Sequence, residues 1–75
     1  MDFGVQLRTM RAVRGLNQLQ LARMVNIPNY HISLFENGNV LPGPEGLERL
    51  RAALRWDERA DEALEMLGDG NGKIS

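Results

Sequence analysis

Two helix-forming stretches separated by only three residues constrain this chain more than anything else in it. They are Gln18–Val25 and Asn29–Asn37, with Asn26-Ile27-Pro28 between them. Asn17 is a residue type that caps helix starts, and Leu21, Ala22 and Val25 follow at the spacing of one buried stripe. Pro28 ends the first stretch, because the residue before a proline is pushed out of the α region, yet proline is tolerated where the next helix begins. The second stretch repeats the pattern with Ile32 and Phe35 inward. Gly38 then supplies the residue favoured at a left-handed helix end. So short a turn does not let the helices lie antiparallel, so they are expected to cross steeply.

The flanking sequence predicts three more helices. One runs from Asp2 or Phe3 to Arg14, with Phe3, Leu7 and Met10 inward and Gly15 closing it. Turn residues from Asn39 to Gly43 read as a loop. A fourth helix starts near Pro44 and buries Leu47, Leu50 and Leu54. Asp57 caps a fifth, with Ala60, Leu64 and Leu67 inward and Trp56 as a core plug between the two. The expectation is an all-α, compact five-helix bundle over residues 1–67, with residues 68–75 as a flexible tail. The Asp, Gly and Asn content of that tail lacks the ligand spacing and closing Glu of a calcium loop, so no metal site is expected.

Seventy-five residues make one domain with a thin core. The chain has no cysteine, which fits a reducing cytoplasm. It has no apolar run near the length of a membrane span and no signal-peptide pattern, so neither is expected. A single histidine, and acids that read as a solvated face, give no catalytic constellation. An enzyme is not expected, nor a cofactor or small-molecule substrate. The net charge of −1 argues against indiscriminate nucleic-acid binding, but it is unevenly spread. Residues 1–40 carry +2 and residues 41–75 carry −3, so the paired helices lie in the positive half.

The residues that carry a resemblance are Met10-Arg11, Gly15-Leu16-Asn17-Gln18, Leu21-Ala22, Asn26-Ile27-Pro28, Ile32-Ser33, Glu36-Asn37-Gly38, Pro42, and Leu47, Leu50, Ala53 and Leu54. In type and spacing they resemble the lambda-repressor-like helix-turn-helix family, and within it the DNA-binding domains of lambdoid phage repressors and Cro proteins. The resemblance spans residues 3 to 67. It implies a sequence-specific double-stranded DNA binder, a small transcriptional regulator of repressor type, with the helix Asn29–Asn37 in the major groove. It further implies phosphate contacts from Asn17, Gln18 and Asn37, base-edge contacts from Asn29, Tyr30, Ser33 and Leu34, and a structural ion pair between Arg11 and Glu36. His31 is expected to be solvated.

A two-fold dimer on a palindromic operator is the expected assembly, in the cytoplasm and associated with the nucleoid. Its contact is expected on the apolar face bearing Trp56, Ala60, Ala63, Leu64, Met66 and Leu67. The chain departs from the resemblance at several places. The loop Asn39–Gly43 has no Lys or Arg, Leu19 and Leu34 stand where polar groups are usual, and Pro28 replaces a hydroxyl cap. Arg51 stands where a small residue is usual and is expected to snorkel. Few phosphate contacts imply a shallow salt slope and modest affinity per copy. The alternatives on the same fold are an antitoxin with a toxin partner and a protein-interaction module using Leu19, Tyr30 and Leu34.

Overall fold

Three of the helices begin on a side-chain cap that the sequence supplies. The computed structural model describes residues 1–74, and side chains as far as residue 67. It contains α1 (Phe3–Val13), α2 (Gln18–Val25), α3 (Asn29–Glu36), α4 (Pro44–Leu54) and α5 (Glu58–Ile74), with no strand among the described residues. Asp2 accepts from the Val5 amide at 3.0 Å and starts α1. At α2, Asn17 Oδ1 accepts from the Gln20 amide at 2.7 Å while Gln20 Oε1 accepts from the Asn17 amide at 2.8 Å. That reciprocal box satisfies two amides that a helix start otherwise leaves unpaired. Asp57 Oδ1 caps α5 through the Ala60 amide at 3.0 Å. α3 begins at Pro28 with no side-chain cap.

The turn between α2 and α3 depends on Asn26, which takes the left-handed conformation at φ 55°. Asparagine tolerates this region better than most side chains. Gly38, at φ 77°, turns the chain out of α3.

Every helix contributes to one core. Leu7 from α1, Leu21 from α2, Ile32 from α3, and Leu50 and Leu54 from α4 are fully buried, and Leu64 of α5 and Trp56 join them. Burying each such side chain contributes roughly 1.5–3 kcal/mol, a sizeable share of the stability of a small domain. The inward stripes expected on α1, α2 and α3 are all present. Leu47 is half-buried rather than buried.

Three expectations need correction at the C-terminal end. Trp56 and Leu64 do not lie on a face open to a second copy. Both are almost wholly buried in this chain's own core, and Trp56 stacks on Phe3 with ring centroids 5.6 Å apart. Leu67, expected inward, is 55% exposed. Arg51 does not snorkel into solvent. Its guanidinium lies 5.3 Å from the centre of the Trp56 ring and donates to Asp61 Oδ2 at 2.7 Å, while Trp56 Nε1 donates to Asp61 Oδ1 at 2.7 Å. The arginine thus covers the tryptophan that plugs the core. The backbone of α5 continues to Ile74 without a break at residue 68. The side chains after residue 67, and Ser75 altogether, lie outside the described residues, and the reading of 68–75 as a flexible tail falls there.

α1 meets α3 at Gly4. A Cβ built on Gly4 would sit 2.5 Å from the Glu36 carbonyl oxygen and 2.8 Å from that of Phe35. Both are backbone atoms that cannot swing aside. Helix propensity alone predicts that Gly4→Ala stabilises α1 by about 1 kcal/mol. The contact predicts the opposite sign, a loss of about 1–3 kcal/mol from overpacking, read from urea denaturation midpoints. A stabilised Gly4→Ala variant would show that α1 and α3 do not meet this closely.

Candidate functional site

The site is built around one buried carboxylate. Glu36, in the last turn of α3, is only 4% exposed. Its two oxygens accept from Arg11 Nε at 2.6 Å and Arg11 Nη2 at 2.9 Å, the bidentate geometry that guanidinium and carboxylate share. Gln18 Nε2, at the start of α2, donates to Glu36 Oε1 at 3.1 Å. The third arm of Arg11 donates to the Leu16 carbonyl at 2.9 Å. Arg8 stands farther out, with Nε 3.9 Å from Glu36 Oε1 and Nη2 donating to the Glu36 carbonyl at 3.4 Å. One carboxylate therefore ties α3 to both α1 and α2.

Burial pushes the Glu36 carboxyl up, but hydrogen bonds from Arg11 and Gln18 and the charges of Arg11 and Arg8 outweigh it. The net result is a carboxyl held below its ordinary range. The same hydrogen bond raises the Arg11 guanidinium further. No buried side-chain polar atom lacks a partner among the described residues. Glu36 is thus fully occupied as a structural anion.

The anchor leaves other residues of α3 at the surface. Asn29, Tyr30 and Asn37 are exposed, and Ser33 and Leu34 are half-buried. Asn37 Nδ2 donates to Ser33 Oγ at 3.4 Å, so these two share a hydrogen bond along the helix. The His31 ring is half-buried rather than solvated. It tilts against Tyr30 at 4.3 Å and Phe35 at 6.3 Å between centroids. Asn17 is engaged as the α2 cap, and Gln18 has one amide proton on Glu36 and one remaining donor. Asn17, Gln18 and the exposed residues of α3 come from consecutive elements. Ala63, Met66 and Leu67 lie far along the chain, exposed on α5.

Some features were not legible from the sequence. Leu19, Arg23, Pro28 and Asn29 line one side of an open groove of about 380 Å³ beside the turn, which sets an exposed arginine next to the first residue of α3. Arg14 donates to the carbonyls of Leu54 at 2.7 Å and Arg55 at 3.3 Å. It closes the C-terminal end of α4, where unpaired carbonyls and the helix dipole favour a cation. No group of three metal-ligating side chains is present among the described residues, and no helix is long and apolar enough to cross a membrane.

The pattern of a helix-turn-helix domain family matches residues 2–64. No curated relative and no solved structure matches the chain.

Because the folded-state value of Glu36 lies below its unfolded value near 4.3, its contribution to stability is complete above that unfolded value. It is lost as the pH falls through the lower folded value. Glu36→Gln strands Arg11 and is expected to cost ~3 kcal/mol near pH 7. The gap between wild type and variant should narrow as acid protonates the wild-type carboxyl, read from urea midpoints at pH 7 and across the acid range. A constant gap would mean that the carboxylate charge contributes nothing.

Proposed function

Because the chain belongs to the helix-turn-helix domain family, we propose that it is a small sequence-specific regulator that binds double-stranded DNA with α3 in the major groove. One observation carries the reading: Asn29, Tyr30 and Asn37 stand exposed along α3, with Ser33 and Leu34 half-buried beside them, while the Arg11–Glu36 pair anchors the helix. Asn29, Tyr30, Ser33 and Leu34 are the base-edge readers. Asn17, Gln18 and Asn37 meet phosphates and set the register. Gln18 serves both ends, since the amide that steadies Glu36 keeps a second proton for a phosphate oxygen. The mechanism is occupancy of an operator, and its effect is repression by exclusion of other proteins from that site.

A single α3 with few cations around it binds weakly. We therefore propose that two copies act together on a palindromic site, with half-sites ~34 Å apart, which multiplies weak single-site affinities. The surface offered to the second copy is the exposed part of α5, with Ala63, Met66 and Leu67 and the half-buried Ala60 at its edge. The acids of α5, including Glu58, Glu62 and Glu65, repel DNA and turn this end away from the duplex. A cytoplasmic, nucleoid-associated regulator fits this chemistry. The exposed apolar surface of Leu19 and Tyr30 favours, as a second reading, a protein-binding module such as an antitoxin.

Titration against duplex DNA separates the two readings. With Arg8 and Arg23 as the exposed cations near α2 and α3, raising salt from about 50 to 200 mM should weaken binding about tenfold per copy. On a selected site, Asn29→Ala should change preference at one base pair by ~1–3 kcal/mol, whereas Gln18→Ala should weaken all duplexes alike. Absent or salt-independent binding would favour the protein-binding reading.

A further inference from the structure

α3 lacks the side chains that guanine and cytosine call for. Guanine presents two acceptors in the major groove and is best met by Arg or Lys, while cytosine presents a donor best met by Asp or Glu. α3 itself contains no Lys or Arg, and the exposed Arg23 beside its first residue belongs to α2 and is assigned above to the salt-dependent attraction of the phosphates. Glu36 is the one acid of α3, and it is buried under Arg11 and Gln18. Arg11 is itself bound to that carboxylate, and Arg14 is held at the end of α4.

What the exposed edge does carry fits adenine and thymine. Asn29 is exposed, and its amide can donate to adenine N7 while accepting from N6. Tyr30 is 65% exposed and Leu34 half-buried, so together they offer an apolar surface for a thymine C5-methyl group. Ser33, the remaining member of the edge, suits either kind of pair. Resting on the DNA-binding reading above, we infer that the major-groove positions under α3 are A·T pairs. They are recognised through adenine N6 and N7 and through thymine methyl groups.

The experiment is selection of bound duplexes from a random pool by the full chain, followed by base-analogue replacement in the enriched site. An enriched site with A·T pairs at its most constrained positions is expected. Replacing thymine by uracil there removes only the methyl and should weaken binding about fourfold, an effect lost in Leu34→Ala or Tyr30→Ala. Asn29→Arg should bring a guanine into the selected sequence. Enrichment of G·C pairs at the positions altered by Asn29→Arg would overturn the inference while leaving DNA reading intact. Duplex binding without any enriched sequence would overturn the reading on which it rests.

Discussion

The buried Glu36 carboxylate is the interaction on which the remaining geometry depends. A charge removed from water is costly unless it is paired and its remaining lone pairs are filled. Here the pairing comes from α1 through Arg11 and from α2 through Gln18, so the carboxylate is satisfied only when three helices are in place together. An eight-residue helix such as α3 has little stability alone, because nucleation is unfavourable and so few bonds follow it. Its shape and position therefore come from Ile32 and Phe35 in the core, from Gly4 pressed against its last turn, and from this ionic anchor. These contacts leave Asn29, Tyr30 and Asn37 exposed.

A second polar cluster does comparable work between α4 and α5. Asp61 receives the Trp56 indole and the Arg51 guanidinium, and the Arg51 hydrogen bond holds its carboxyl below the ordinary range. Asp61 is nearly half exposed, so solvent weakens the ion pair, and its main effect is geometric: it fixes the ring that closes the core between α4 and α5. The two clusters divide the molecule. One steadies the helix offered outward in the positive half, and the other seals the base of the acidic half.

The sequence made the fold legible wherever the signal was local. Asn17, Asp57 and Gly38 mark boundaries by backbone chemistry that needs no tertiary context, and the inward leucines follow from helical period alone. The Arg11–Glu36 pair was legible only through resemblance, since no periodicity links residues so far apart. Features set by the approach of distant elements were not legible. Gly4 reads as an unremarkable helical glycine until the carbonyls of α3 are placed over it. Arg51 looks misplaced until Trp56 is seen beneath it. The error at Trp56 and Leu64 has the same origin: an apolar face on one helix does not say whether its own chain or a second copy covers it. The edge of α3 was legible because its inward residues, Ile32 and Phe35, fix which side faces out.

The central claim is that the exposed residues of α3, a helix anchored through Glu36, form the surface that meets DNA. Mapping backbone amide shifts by NMR while a selected duplex is added tests it most directly. The account predicts that, on a duplex carrying a single half-site, Asn17, Gln18 and the exposed residues of α3 shift together while α5 stays unmoved. Perturbations centred on α5, with the α3 edge unchanged, would contradict it.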